Sequence, residues 1–276
     1  MGNRSHGFTI IETMLFLGIS GILIVSLLAG TGATIGIQRY KDSVETFKSF
    51  LQGQYAELSS VRNGRDSGWT CDANGSTIAT SIPTDGVPVG QSDCELVGRY
   101  VTIVDSDITA YSVTARKLSN PPAAVPGDTD VSKMANSYNY NLASDTKDDS
   151  QLEWGARIAW PTLGQGSKPS GSSRSIAMLF IRSPETGVTY TFTSDIVPAD
   201  PSPTTLKAMI VAGVTAPGKQ GSRTLCIDSN GSILGSDQSI YIYAAASGPS
   251  SVETRSNAYI DGLTGTRGDG QYSLQC

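Results

Sequence analysis

One apolar stretch restricts what this chain can fold into more than any other feature. From Phe8 to Ile37 the sequence runs for thirty residues with a single charged side chain, Glu12. About 20 apolar residues are enough for a helix to cross a bilayer. A carboxylate inside such a run costs about 2.5–3.5 kcal/mol on insertion scales, so we expect it to have a partner and a function.

The six residues before Gly7 form a short polar leader with one firm positive charge, Arg4. By the positive-inside rule, this charge is expected to hold the leader in the cytoplasm. The order Gly7-Phe8, followed by the apolar run with Glu12, resembles the prepilin signal of type IV pilins and of the pseudopilins of type II secretion.

The resemblance implies that a prepilin peptidase cuts after Gly7, and that Phe8 becomes the first residue and is N-methylated. It also implies an inner-membrane assembly platform and other pilin subunits in a helical filament as partners, with membrane lipid around the helix before assembly. The new ammonium of Phe8 in one subunit would neutralise Glu12 of its neighbour, since opposite charges attract strongly in a low dielectric. Glu12 is therefore predicted to be an assembly residue.

Other interpretations of the same segment stay open. A secretory signal peptide would be cut after small residues, which the stretch from Ala29 to Ala33 offers, although a charge inside its apolar core would be unusual. A plain membrane anchor needs only the length of the run. A buried helix of a soluble protein would rarely contain so long an apolar stretch.

Beyond Ile37 the chain turns polar, but its periodicity predicts that the helix continues. Apolar residues recur at spacings of three and four, which places them on one face of a helix. They are Tyr40, Val44, Phe47, Leu51, Tyr55, Leu58 and Val61. Asn63-Gly64 is typical of a helix end. We expect one helix of about 80 Å from Phe8 to about Arg62, with its first half in lipid and its second half against a globular head.

Three glycines, Gly30, Gly32 and Gly36, lie near the end of the apolar half, which has no proline although many pilins have one there. Each glycine weakens a helix by about 1 kcal/mol relative to alanine, so this part of the helix is predicted to be able to extend during assembly. Close packing of small residues between helices explains the cluster equally well.

The predicted fold class is α+β, with the long N-terminal helix packed on an antiparallel β-rich head. The division is leader 1–7, membrane and assembly half-helix 8–37, amphipathic continuation 38–64 and head 65–276. Short runs of β-branched and aromatic residues predict the strands. They are 100–104, 110–114, 156–160, 176–181, 188–192, 209–211, 224–227 and 240–243. Residues 183–187 and 228–231 are predicted hairpin turns, and 120–130, 145–149 and 164–173 are predicted surface loops.

The segment Arg223–Ile233, with Cys226 before a glycine turn, resembles a late hairpin of H-class minor pseudopilins and of FimT-type minor pilins. In FimT-type proteins, DNA contacts rely on a basic C-terminal tail, but residues 266–276 hold one basic and one acidic residue. Without the leader, 19 basic side chains remain against 25 acidic ones, so charge does not support nucleic-acid binding. A basic patch from Arg39, Lys41, Lys48, Arg62 and Arg65 stays open, although a solvated helix face explains these residues more simply.

All four cysteines, Cys71, Cys94, Cys226 and Cys276, follow the apolar half. Export would place them in an oxidising compartment, where an even number favours two disulfides. Proximity in sequence favours Cys71–Cys94 and Cys226–Cys276 among the three pairings. Zinc is disfavoured because the chain lacks Cys-x-x-Cys spacing and a nearby histidine.

We expect no catalysis and no cofactor, because the only histidine, His6, lies in the leader. The acidic pairs Asp105/Asp107, Asp128/Asp130 and Asp148/Asp149 lack the EF-hand pattern and are interpreted as solvated loop carboxylates. The sequence therefore favours a structural subunit, by its length a minor pilin, on a bacterial surface with a role in adhesion, motility or DNA uptake. A pseudopilin of a secretion system and an anchored binding protein that never polymerises are the alternatives.

Overall fold

The computed structural model describes residues 9–59, 69–72, 74–75, 77–79, 94–123, 125–160, 162–163, 173–198, 201–215, 223–229, 238–243, 246–256, 264–267 and 270–275. These residues form a long N-terminal helix and an antiparallel β-rich head, which confirms the α+β class. The described helices are α1 (Ile10–Ser59), α2 (Asp130–Ser137) and α3 (Pro203–Thr215). Helix α1 has 50 residues and is therefore about 75 Å long.

The described strands belong to four sheets, and neighbouring strands within them are antiparallel. The largest sheet has the order β5 (Tyr138–Gln151), β4 (Asp107–Lys117), β3 (Cys94–Val104), β8 (Ser175–Arg182) and β9 (Thr189–Ser194). A second sheet has the order β12 (Val252–Ser256), β11 (Gln238–Ile242), β10 (Arg223–Asp228) and β6 (Arg157–Ala159). Two smaller sheets contain β1 (Trp69–Cys71) with β2 (Thr77–Ala79), and β13 (Thr264–Arg267), β14 (Gly270–Gln275) and β7 (Thr162–Leu163).

The large sheet is covered on both faces, and β8 shows this most clearly. Its alternate residues Ile176, Met178 and Phe180 join the cluster formed with α1 and the second sheet. The residues between them join a cluster formed with α2 and α3 on the opposite face. A strand that is buried on both faces has no polar side, which explains why β8 is a continuous apolar run.

The second half of α1 lies against the head through the stripe that its sequence predicts. Tyr40, Val44, Phe47, Leu51 and Tyr55 are each at most 3% exposed, and Leu58 packs at the edge of the same cluster. The prediction of an amphipathic continuation is confirmed up to this residue. Val61 and the predicted stop at Asn63-Gly64 lie outside the described residues.

The predicted strand at 209–211 is wrong, because these residues lie inside α3. Pro203 starts this helix, and the hydroxyl of Ser202 accepts a hydrogen bond from the Thr205 N–H at 3.3 Å. Leu206 and Ile210 are fully buried against the sheet. A three-residue apolar run does not distinguish a strand from one turn of a buried helix, so periodicity alone could not decide.

The predicted loop at 145–149 is also wrong, because these residues belong to β5. The pairing of β4 with β5 shifts register between Ala110 and Ser112, and this irregularity absorbs extra residues on the β5 side. Strand β5 is an edge of the large sheet, where charged side chains reach water and discourage pairing with other chains. The charged residues of this sheet edge have a composition that is typical of a loop, and this is why the sequence predicted one at 145–149.

The turn at 183–187 is confirmed as the connection of the β8–β9 hairpin. The N–H of Ser183 donates to the carbonyl of Val188 at 2.8 Å, and Gly187 takes a φ of 73°, a value that glycine adopts without strain. Strands β10 and β11 also form an antiparallel hairpin, but residues 230–237 of its connection lie outside the described residues. The predicted loop at 120–130 ends at Thr129, which caps α2, and residues 164–172 are not described.

Candidate functional site

The first half of α1 extends away from the head with its apolar side chains uncovered. Ile11 is 76% exposed, Phe16 71% and Leu28 63%, and the exposed apolar residues continue to Ile37. None of the most apolar stretch of this helix is buried within the chain. By length and composition, α1 can therefore span a membrane once.

Every hydroxyl group in this bare half is bonded to the backbone of its own helix. Thr13 donates to the carbonyl of Ile10 at 2.8 Å, and Ser26 donates to that of Ile22 at the same distance. Ser20, Thr31 and Thr34 make equivalent bonds. The hydroxyls therefore need no partner from outside, which suits an apolar environment in which an unpaired polar group is costly.

Glu12 is the exception. Its side chain is exposed, and it has no hydrogen bond or ion pair with any residue that the structure describes. Its position in the first turn of α1 provides the helix dipole, which stabilises a carboxylate by about 0.3–1 kcal/mol. This gain is smaller than the cost of about 2.5–3.5 kcal/mol for a charge in lipid, so a second partner is required for a stable buried carboxylate.

The residues predicted to supply that partner, Gly7 and Phe8, lie outside the described residues. Cleavage after Gly7, methylation of Phe8 and the pair between Phe8 and Glu12 therefore stay predictions. Helix α1 continues through Gly30, Gly32 and Gly36, and no atom outside the helix backbone lies within 4 Å of a Cβ built at Gly30 or Gly32. Both the extension and the close-packing interpretation of these glycines stay open.

Tyr40 marks the point where α1 joins the head. Its hydroxyl donates to the carbonyl of Ile227 at 2.6 Å and accepts from the N–H of Gln238 at 2.7 Å. Ile227 and Gln238 are partners at the end of the β10–β11 ladder. The phenol oxygen thus bridges this last pair, and only Gln38 and Arg39 separate it from the end of the apolar run.

Arg99 fixes the far end of α1 to the large sheet, and its side chain is 8% exposed. From β3 it donates to Gln54 of α1 at 3.0 Å and lies 3.1 Å from the carboxylate of Glu57. It also donates to Ser112 at 3.0 Å and to Asp148 at 2.7 Å. The sequence reasoning missed this network, because a lone arginine in a strand gives no signal of a buried partner.

Two further contacts hold the second half of α1 against the head. Burial raises the pKa of Tyr55 to about 12, and its hydroxyl is hydrogen-bonded to Thr191 of β9 at 2.8 Å. Burial would raise the pKa of Glu45, but hydrogen bonds from Lys48 and Thr254 lower it overall. The contact with Thr254 joins α1 to β12, so the helix is bound to both large sheets.

Two cations of the possible basic patch on α1 contact other side chains of the protein. Arg39 lies over the ring of Trp154 at 4.6 Å, and Lys48 pairs with Glu45 at 3.0 Å. Arg62 and Arg65 lie outside the described residues. Arg39 and Lys48 are therefore engaged within the chain.

Cys226 lies in β10, is 3% exposed and is disulfide-bonded. The side chains of Cys71, Cys94 and Cys276 lie outside the described part of the chain. The pairings Cys71–Cys94 and Cys226–Cys276 therefore stay predictions.

Several of the aspartates considered as calcium ligands are bonded to groups of the chain. Asp130 accepts from the hydroxyls of Ser183, Thr186 and Tyr190, and Asp128 accepts from the N–H of Val125. Asp148 pairs with Arg99, and Asp149 pairs with Lys147 at 2.8 Å. Among the described residues, no group of three or more histidine, cysteine, aspartate or glutamate side chains is placed to hold a metal.

Comparison of the chain with protein-family models, with curated proteins and with solved structures gives no match. The functional interpretation therefore rests on the residues of this chain and on their geometry.

Proposed function

We propose that this chain is a structural subunit, by its length a minor pilin, of a bacterial type IV pilus or a related filament. In this proposal the first half of α1 anchors the subunit in the cytoplasmic membrane before assembly, with the head outside the cytoplasm. The same half-helix then packs among those of other subunits in the filament core. The observation that carries the proposal is one continuous helix, bare over its first half and bound to a head over its second half.

The apolar side chains of the bare half must be covered, and the free energy gained by covering them is large. Burial of one large aliphatic or aromatic side chain is worth about 1.5–3 kcal/mol, and more than a dozen such side chains are exposed between Ile10 and Ile37. Lipid can cover them in the membrane, and neighbouring helices can cover them in a filament. A plain anchor would use only the first of these covers.

Glu12 favours the filament over the plain anchor. An anchor gains nothing from a carboxylate in its apolar half, and the internal bonding of all the hydroxyls shows that this half-helix otherwise satisfies its own polar groups. A partner from another subunit offsets the cost of burying the charge, and the Phe8 ammonium created by cleavage after Gly7 has the required sign. Glu12 would thus bind the adjacent subunit at one fixed register.

The test compares Glu12→Val with the matched control Thr13→Val. Glu12→Val is expected to leave cleavage and membrane insertion intact but to prevent assembly, because the Phe8 ammonium would enter the filament core without a counter-charge. An unpaired buried charge costs about 3–5 kcal/mol, which lowers incorporation by at least roughly two orders of magnitude. Thr13→Val removes only a hydroxyl that is bonded to its own helix, so incorporation should stay close to that of the wild type.

The measurement is the amount of protein in sheared surface filaments relative to the membrane fraction. Mass spectrometry of the same fractions must show Phe8, with or without a methyl group, as the first residue, and Gly7→Val should accumulate at the mass of the full chain. Equal incorporation of wild type and Glu12→Val would reject the assembly role of Glu12, and absence of the wild type from the filaments would favour the anchored protein that does not polymerise. Assembly into a structure that stays within the cell envelope would favour the secretion pseudopilin.

A further inference from the structure

Trp154 has an unusual backbone and an unusual exposure for a large aromatic residue. Its φ of 59° and ψ of 26° lie in the left-handed region, which bulky side chains rarely adopt. The residue is nonetheless 54% exposed, so no core contact explains the strain. Strain of this kind costs of order 1–3 kcal/mol and is often kept where it serves a function.

The turn that carries Trp154 is held firmly on both sides. Leu152 and Ala156 are 5% and 2% exposed within the cluster beneath α1. The N–H of Leu152 donates to the carbonyl of Ser106 at 2.8 Å, and that of Ile158 donates to the carbonyl of Asp105 at 3.1 Å. The indole is therefore presented outward by an anchored turn.

The indole lies against α1 at the end of the apolar half. The guanidinium of Arg39 is 4.6 Å from the centre of the Trp154 ring. Arg39 is two residues past Ile37, which is about 3 Å along the helix axis. When the end of the apolar half at Ile37 lies at the outer face of the bilayer, this pair lies at the boundary between acyl chains and water.

We propose that Trp154 and Arg39 form an interfacial anchor that rests in the headgroup region of the phospholipid bilayer crossed by α1. The inference rests on the membrane-anchored stage of the proposed function. Tryptophan is enriched at this boundary because its ring is apolar and its N–H is polar, and arginine extends its charge from there to the headgroups. The anchor fixes the height of the head above the membrane before assembly.

Charges near the anchor select the lipid for the test. Glu153 precedes the tryptophan, and Asp105 and Asp107 flank the neighbouring β3–β4 turn, whose backbone bonds this segment. These carboxylates would be repelled by anionic lipids, so neutral phosphatidylcholine vesicles isolate the contribution of the indole. Phosphatidylcholine with bromine on its acyl chains quenches only tryptophans that reach the bilayer.

The experiment reconstitutes the full chain in these vesicles and compares wild type, Trp154→Phe and the control Trp160→Phe. The chain has three tryptophans, so bromination near the headgroup end is expected to remove about a third of the wild-type emission. Trp154→Phe should lose almost none. Trp160 lies 4.4 Å from Arg174 and is partly buried, so Trp160→Phe should keep the quenchable signal.

Alkaline extraction of the vesicles separates this inference from the proposed function. If the chain is extracted, the membrane-anchored stage is wrong and both proposals fail. If the chain is retained but wild type and Trp154→Phe are quenched equally, only the interfacial anchor is rejected. Protection of Trp154 in assembled filaments without quenching in vesicles would also reject it, and would assign the indole to a contact between subunits.

Discussion

The hydroxyl of Tyr40 is predicted to hold α1 against the head at the point where the bare half of the helix ends. Tyr40→Phe removes one oxygen atom and leaves the rest of the ring in place, so the packing of a residue that is 3% exposed is kept. What it removes are two short hydrogen bonds, to Ile227 at 2.6 Å and from Gln238 at 2.7 Å. The change therefore isolates the polar part of this junction.

The expected cost follows from the groups left behind. A buried carbonyl or N–H without a partner costs about 1–3 kcal/mol. Ile227 and Gln238 are register partners, so part of the loss is recovered if they approach and bond directly. We expect Tyr40→Phe to lower the free energy of unfolding by about 2–3 kcal/mol, and for a head of about 200 residues this lowers Tm by roughly 5–10 °C.

The assay is thermal unfolding of the full chain in detergent micelles, with hydrogen exchange followed over residues 38–44. Tyr55→Phe is the matched control, because its hydroxyl has one partner among the described residues, Thr191, and that partner keeps its bond to the carbonyl of Ala246. The control should lose about 0.5–1.5 kcal/mol. The reasoning is refuted if Tyr40→Phe unfolds at the temperature of the wild type, or if exchange near Tyr40 does not rise.

Two further predictions concern packing and covalent links. Gly98→Ala should destabilise the head by about 1–3 kcal/mol in urea unfolding, because its Cβ would lie 2.5 Å from the carbonyl oxygen of Phe180. A Cβ added at Gly53 would meet no atom within 4 Å, so Gly53→Ala should instead stabilise α1 by about 0.5–1 kcal/mol. If Gly98→Ala were the more stable of the two variants, the close spacing of β3 and β8 at Gly98 would be contradicted. Non-reducing peptide mapping should find no free thiol and should link Cys71 to Cys94 and Cys226 to Cys276. A link between Cys71 and Cys226 would reject this pairing alone, and four alkylated cysteines would reject both disulfides.

The long helix was predictable because its signals repeat. The buried stripe from Tyr40 to Tyr55 follows the period of a helix over several turns, and the uniform apolar run before it needs no periodicity to be recognised. Strand β8 was predictable for a related reason, since six buried positions in a row lie between polar residues. Patterns of this length depend little on the rest of the fold.

The features that the sequence did not predict are those whose structure depends on the rest of the fold. Helix α2 has eight residues, and its start depends on the hydroxyl of Thr129, which accepts from the N–H of Ser132 at 3.1 Å. The end of β5 is polar because it is a sheet edge, and the register shift beside it has no local signal. The partners of Arg99 come from α1, β4 and β5, so only the folded sheet brings them together.

The junction between the two halves of α1 has a mechanical consequence for assembly. No linker separates them, because the helix continues and Tyr40 is bonded to the head three residues after Ile37. Arg99 bonds the helix again near its end, at Gln54 and Glu57, so the contacts with the head extend over about 17 residues, or roughly 25 Å. As long as α1 stays helical through Gly30, Gly32 and Gly36, a displacement of the bare half along its axis therefore moves the head by the same distance. If the subunit assembles as proposed and the helix does not extend at these glycines, the position of Glu12 in the filament core fixes the position of the head on its surface, and transfer out of the bilayer removes Trp154 from the lipid boundary in the same step.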